Sequence, residues 1–487
     1  MTDKGLPPSS RSTLTPTRRA TLAGLGATTF GAATTIALAG RASSQARPPA
    51  GTAGAEPPLS LLVAAPGKAR LRPAPAGETD ILALNGASPG PALRIKLGET
   101  LRLKLDNRTA LPLSLHWQGL RGAAAMDGVG GFSQPPVAPG ASFEYRLTPP
   151  DAGTFLYRPL LIGGSSEPAG RGLGGLLIVE EPEPLAVDLD LPVMVADWLL
   201  GDDHAIRPFA AASSESAAGG RLGSWLTVNG APPPQRVAVA PGARVRLRLA
   251  NACNARIMRL RFDGVKASVV AVDGQPTDTF EPVRAQLPFA PGTRYDLIVD
   301  MPEELGATAI VTALIGAGVP LVRLVTEGAK KAAATAPAAL KPNPTLPAAV
   351  RLQDAVRPQI VIEGGAKIMP ELKLDLAGLD LAKPWRINGG VGDASKPLVS
   401  VKRGTPIVLA IENRTAFLQP IHVHGHCFRL LHPLDDGWEP YFMDTVQIPE
   451  GKRLHIAFIA ENPGRWMISS TVLERFDLGL WSWFEVT

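Results

Sequence analysis

The stretch QPIHVHGHCF, residues 419–428, holds three of the seven histidines in a chain of 487 residues. His422 and His424 are two apart, so on a strand their imidazoles fall on one face. Neutral imidazoles at that spacing bind copper(II) or zinc, which makes the pair a candidate metal site. His426, one step further along, reads as structural. Cys427 points to the other face and reads as a small buried hydrophobe. His204, His432 and His455 have no partner recognisable in the sequence, and the alternating Trp481 and Trp483 read as packing residues of a last strand.

The elements that must position these residues repeat three times. GETLRLKLDNRTALPLSLHWQG from Gly98, GARVRLRLANACNARIMRLRFDG from Gly242 and GTPIVLAIENRTAFLQPIHVHG from Gly404 align without gaps. In each, Gly is followed nine residues later by Asn: Asn107, Asn251 and Asn413. Apolar residues stand six, four and two before that Asn (Leu101, Leu103, Leu105; Val245, Leu247, Leu249; Ile407, Leu409, Ile411). Period two predicts strands with one buried face, and the third copy, apolar on both faces, predicts a more enclosed strand. Downstream of each copy, PGASFEYRLTPPDAGTFLY, PGTRYDLIVDMPEELGATAIV and PEGKRLHIAFIAENPGRWMI repeat a turn–strand–turn–strand pattern. Copies spaced by roughly 145 to 160 residues have the size of small all-β domains. The expectation is an all-β chain of three tandem Greek-key sandwiches over 47–181, 182–327 and 351–487, with the Ala/Pro/Lys-rich stretch 328–350 as a linker.

The formal charge of +5 is not a nucleic-acid signal. Residues 1–46 carry Lys4, Arg11, Arg18, Arg19 and Arg41 against Asp3, a net of +4 that leaves about +1 for the rest. The run TRRATLAGLG, an uncharged Ala/Gly/Thr-rich segment and then RASSQA give the pattern of a twin-arginine export signal cleaved after Ala46. Glycine and threonine dilute the hydrophobicity that a lasting membrane span would need. The expectation is a near-neutral periplasmic protein, with neither a nucleic-acid partner nor a stable span after cleavage. Two cysteines, Cys253 and Cys427, make no disulfide framework, so stability must come from core burial.

At this point the residues resemble the multicopper oxidases, the laccase-like family of three cupredoxin domains. SLHWQGLRGAAAMDGVGGFSQPPVAPGASFEY and RGLGGLLIVEE look like the family's first domain. SWLTVNG, ANACNAR and LPFAPGTRYDLIVD look like the second, and MDTVQIPEGKRLHIAFIAENPGRWM like the third. The resemblance implies a type 1 copper held by two His and a Cys thiolate, often with an axial Met. It also implies a trinuclear cluster held by His, which reduces dioxygen. Few of these ligands are kept. His116 stands at a type 2 position, but Gln118 replaces a type 3 His, and Arg158 and Leu160 replace another pair. Gln419 replaces a type 1 His, while His422 keeps a type 2 position and His424 a type 3 position. Ser469, Ser470 and Thr471 replace His-Cys-His, Arg475 the remaining type 1 His, and Leu480 the axial Met. The acid that many members carry just after the last His is Phe476 here, whereas Asp127 survives as a possible residual acid.

A serine hydroxyl is a poor ligand for copper(I), so the type 1 centre and its electron path to the cluster should be missing. A cation at Arg158 or Arg475 opposes metal binding: at roughly 4 Å and an effective dielectric of about 20, each pair of unit charges repels by about 4 kcal/mol. The expected cofactor content is therefore none or a single copper, never the full four. Two readings stand. One is an exported, non-catalytic scaffold that binds a protein or other cell-envelope macromolecule, as copper-free members of the family do. The other is a copper-binding oxidoreductase with one residual type 2-like site of His116, His422 and His424, where Asp127 orients a bound water. Copper handling without turnover is disfavoured by only eight methionines and no Met-rich run.

Overall fold

The computed structural model describes residues 56–487, apart from 211, 333, 335–338, 370, 372, 432–436 and 438. The export signal expected over 1–46, His432 and the middle of the expected linker lie outside the described residues.

Each repeat builds the same piece of sheet. The strands Leu101–Asn107, Arg244–Asn251 and Thr405–Asn413 each pair in parallel with an earlier strand: Leu59–Ala69, Leu189–Trp198 and Gln359–Gly364. On the other side each pairs antiparallel with a later one: Ser142–Leu147, Arg294–Asp300 and Arg453–Ala460. The repeated asparagine has one job throughout. Its Nδ2 donates to two main-chain carbonyls, Leu111 and Val137 for Asn107, Arg256 and Phe289 for Asn251, Phe417 and Ile448 for Asn413, at 2.8–3.1 Å. Its Oδ1 accepts the N–H two residues on. A buried amide thereby satisfies the backbone where the chain leaves one sheet for the other.

A second sheet faces each of these: four strands over Leu115–Gln118, Gly153–Pro159, Gly175–Glu180 and Leu93–Lys96 in the first sandwich, and five in each of the others. Helix is confined to Ser166–Gly170, Leu473–Asp477 and two short 3-10 turns among the described residues. The fold is all-β, three cupredoxin-like sandwiches in tandem. Cys253 and Cys427 are free and buried.

Two strands are more enclosed than their pattern predicts. All eight residues of Arg244–Asn251 are buried, because Arg246 and Arg248 turn onto Asp296, Glu181 and Asp190 rather than to solvent. Leu115–Gln118 is likewise buried on both faces. Leu115 and Trp117 enter the first sandwich's own core, and His116 and Gln118 face outward under cover of the third domain. The far end of the expected linker also docks: Asn343 bonds Ala152 and Gln275, and Thr345 bonds Asp151.

Candidate metal centre

Strand parity decides which side chains meet. On Gln419–Val423, Ile421 and Val423 enter the third domain's core, so His422 points the other way. It meets His116, outward-facing on the first domain, and His424 follows on the same face. Ring centroids are 5.6 Å apart for His116–His422, 4.2 Å for His116–His424 and 4.7 Å for His422–His424. One ligand atom from each of the three lies within 4.8 Å of the others. The three histidines picked out in the sequence are thus brought together, all essentially without solvent exposure.

Carboxylates orient all three rings. His116 Nδ1–H donates to the main-chain carbonyl of Asp127 at 2.8 Å, with Oδ1 at 3.3 Å. His424 Nδ1–H donates to Asp127 Oδ2 at 2.9 Å. His422 Nδ1–H lies 3.0 Å from both the carbonyl and Oδ1 of Asp444. With every Nδ1 facing an acceptor, the proton sits there and each Nε2 presents a lone pair, the arrangement of a histidine prepared for a metal. Burial holds His424 in the neutral form, with its pKa lowered to about 3, and burial lowers that of His422 as well. Burial pushes the Asp127 carboxyl up, but the facing His424 and His116 outweigh it and hold it below the usual carboxylate range. Asp444 is held low in the same way, by Arg294 and then His422.

The three Nε2 atoms have different fates. Those of His116 and His422 have no hydrogen-bond partner. That of His424 accepts from Ser469 Oγ at 3.0 Å, so a residue at a former ligand position now satisfies a surviving ligand. Two bare imidazole nitrogens and a third behind a hydroxyl fit one ion with nitrogen-preferring chemistry.

They do not fit a trinuclear cluster. Gln118 reaches away to Thr445 Oγ1 at 3.3 Å, and Leu160 belongs to an apolar cluster with Val129, Met467 and Phe476. Arg158 stands directly across the strand pair from His116, on the same outward face. Its Nη2 donates to the Thr471 carbonyl at 3.3 Å, and its Nε and Nη1 are unpartnered. Burial, and then the nearby Arg294, lower its pKa to about 10, which leaves a cation at neutral pH.

The position where the resemblance places a type 1 copper is filled by side chains. Arg475, 1 % exposed, donates from Nη1 to Gln419 Oε1 and the Leu418 carbonyl, each at 2.8 Å, and from Nη2 to the Ala218 carbonyl at 2.9 Å. Its guanidinium lies 4.8 Å from the Trp385 ring centre. Ser470 Oγ accepts the N–H of Val472 at 3.2 Å, and Leu480 is fully buried. Two of the substituted ligands thus hydrogen-bond each other, with no thiolate among them.

His426 is structural: its Nδ1 bonds the His424 carbonyl at 3.1 Å and its ring packs among Phe458, Trp466 and Phe484. Trp481 and Trp483 pack with Phe132, and His204 Nδ1 lies 3.3 Å from an Arg72 nitrogen. Sequence reasoning missed Asp444 and Arg294. Arg294, fully buried, pairs with Asp444 Oδ2 at 2.5 Å and donates to the Thr154 carbonyl at 3.1 Å, so it joins the second domain to both others. The available signal was an acid amid the apolar residues of YFMDTVQI.

Residues 68–184, 190–326 and 368–487 each match a multicopper oxidase domain model. The chain is similar to the multicopper oxidase MmcO of Mycobacterium tuberculosis, at 27% identity over 437 residues, 80% of this chain and 79% of that protein. It is also similar to the cell division protein FtsP of Proteus mirabilis, at 26% identity over 438 residues, 84% of this chain and 86% of that protein. The crystal structure of a multi-copper oxidase from Pseudomonas thermotolerans superposes with a TM-score of 0.78 at 30% identity, covering 88% of this chain and 99% of that one. With three domains in the same order and the surviving histidines gathered where two of those domains meet, the chain belongs to the multicopper oxidase family.

Proposed function

We propose that this protein is a member of the family that does not relay electrons to dioxygen, and that it acts in the periplasm as a binding scaffold for another cell-envelope macromolecule. The observation that carries this reading is the Arg475–Gln419 pair. A buried guanidinium and an amide occupy the place where one-electron oxidation needs two imidazoles and a thiolate. Without that centre, no substrate electron has an entry point. The paired arginines at 18 and 19 support export. No helix among the described residues is long and apolar enough to cross a membrane. The similarity to a cell division protein supports a role for the three-domain body apart from oxidation.

Metal analysis tests the proposal on protein exported by its native host, grown with copper and purified gently. The expected result is at most one copper per chain, no intense blue absorption and no oxygen uptake with phenolic reductants. A full copper complement or catalytic oxygen uptake overturns it.

The bare Nε2 atoms of His116 and His422 favour a second reading, one bound ion at the three-histidine centre. Such an ion would supply Lewis acidity. The chain itself would hold it by Nε2 lone pairs, with Asp127 and Asp444 fixing the tautomers. Stoichiometric copper or zinc that is lost in His422→Ala supports this reading, and a metal-free native protein ends it.

A further inference from the structure

The first two domains repeat one device at a sheet edge, and the second copy is left open. Strand Thr79–Leu84 of the first domain and strand Trp225–Val228 of the second run into matching turns, Leu84-Asn85-Gly86-Ala87 and Val228-Asn229-Gly230-Ala231. Leu84 exchanges main-chain bonds with Ala87 at 2.9 and 3.2 Å, and Val228 with Ala231 at 2.9 and 3.0 Å. Each asparagine N–H donates to the neighbouring strand, Asn85 to the Val63 carbonyl and Asn229 to that of Met194. Leu82 and Leu226, each two residues before the turn's first residue, are therefore equivalent positions.

Ladder parity sets where their main chains point. Asn229 bonds Met194, and Thr227 is the next bonded position along the pair with Leu189–Trp198, so the N–H and carbonyl of Leu226 face away from that strand. They face the sheet's edge, because Trp225–Val228 is its outermost strand. In the first domain the equivalent N–H, that of Leu82, donates to the Arg171 carbonyl at 2.8 Å. For the main chain of Leu226 no hydrogen-bond partner is found among the described residues. An unpaired strand edge is a template for another extended chain.

A cavity of about 190 Å³ opens at this edge, walled in part by Trp225, Leu226, Pro233, Arg256, Ile315 and Val319. Ile315 and Val319 belong to the facing sheet's turn and strand, ahead of Val322, where pairing with Gln235–Val239 begins. A seam is thereby left between the two sheets. Its walls are largely apolar, and Arg256 is the one charged residue that lines it. Arg256 donates from Nε to Asp197 Oδ2 at 3.1 Å and from Nη2 to the Gly223 carbonyl, which fixes the guanidinium. The Asp197 side chain is 1 % exposed, whereas 17 % of the Arg256 side chain stays accessible. What reaches the seam is therefore a held positive charge, complementary to an acidic group.

We propose that this seam is a docking site for an extended acidic segment of a partner protein. A main-chain carbonyl of the segment accepts the Leu226 N–H, as that of Arg171 does at Leu82. An acidic side chain meets Arg256, and its apolar neighbours lie against Trp225, Ile315 and Val319. The inference rests on the binding-scaffold reading and gives it a surface and a class of partner.

The probe is the pentapeptide acetyl-Ile-Thr-Glu-Thr-Ile-amide, with counterparts that carry Gln or Lys at the centre, titrated calorimetrically into the full chain. The Glu peptide should bind saturably below millimolar concentration. The Gln peptide should bind about tenfold more weakly, the scale of one charge-assisted hydrogen bond, and the Lys peptide more weakly still. In hydrogen exchange the Leu226 amide of the free chain should exchange faster than that of Thr227, and saturating Glu peptide should slow it. Arg256→Gln should remove the preference for Glu. Ile315→Glu leaves Arg256 in place and should weaken the Glu peptide by repulsion. Equal affinity for the three peptides, no binding of the Glu peptide at millimolar concentration, an unslowed Leu226 amide, or full affinity in folded Arg256→Gln or Ile315→Glu overturns the assignment. None of these readouts depends on copper content, so their failure rejects this surface and leaves the non-catalytic reading to the metal analysis.

Discussion

A guanidinium is tolerated in the dry interior at position 475 because Nη1 and Nη2 reach Gln419 Oε1 and the carbonyls of Leu418 and Ala218, and because it lies against Trp385, although its Nε has no partner. Burial still lowers its pKa, to about 9, so it remains a cation at neutral pH. Deleting it would leave three acceptors unsatisfied and a hole beside an indole. Arg475→Ala should therefore cost about 3 kcal/mol or more, read as a lower urea midpoint. Removing both polar partners with apolar residues of similar size is different. Gln419→Leu combined with Arg475→Met should recover part of that loss, because the side-chain amide of residue 419 is no longer left unpaired, although the carbonyls of Leu418 and Ala218 still lose their donor. Additive single and double effects would show that the two residues do not act as a pair. The same logic explains Ser469, whose hydroxyl satisfies His424 Nε2 at 3.0 Å.

At the scale of elements, the short helix Leu473–Asp477 ties the third domain to the first. Asp477 accepts the N–H groups of Ser165 and Ser166, each at 2.8 Å. Burial nevertheless raises its pKa from 3.8 to about 7, outweighing those bonds. A raised acid holds its proton more tightly folded than unfolded. Its contribution to stability is therefore fully present below pH 3.8 and is lost as pH rises through about 7. Across that window wild type should lose stability relative to Asp477→Asn, measured by chemical denaturation at a series of pH values; a pH-independent difference would refute the assignment. Much of this level was legible in the sequence. Period two and the Gly-to-Asn spacing marked the repeat strands, and parity put His422 and His424 on one face. The partners across domain boundaries were not legible. Asp127 with His424, Arg294 with Asp444, and Arg246 with Glu181 all depend on how sheets dock, and local spacing carries no information about docking. Buried arginines also misled: alternation in RVRLRLAN looks half-exposed, but Asp190 and Asp296 of the same domain and Glu181 of the first supply carboxylates that keep the guanidinium groups inside.

For the whole molecule, the two former copper locations differ in what they require. The three-histidine centre needs two domains held in register, and buried Arg294 contributes by bonding Thr154 of the first domain and Asp444 of the third. The type 1 position needs only the third domain, where Gln419, Ser470 and Arg475 sit on a strand, its neighbour and the helix that follows. If the scaffold has kept its backbone geometry, restoring those three side chains is a local repair. The variant Gln419→His/Ser470→Cys/Arg475→His should bind one copper and show the intense blue absorption of a copper–thiolate bond, even with Leu480 in the axial place. It should still consume no oxygen with phenolic reductants, because Gln118, Arg158, Leu160, Ser469 and Thr471 would remain at the trinuclear position. A folded variant without the blue band would mean that the third domain has moved away from copper-binding geometry. A blue variant that turned over oxygen would mean that three histidines and a buried arginine are enough for a cluster, contrary to the donor count at that centre.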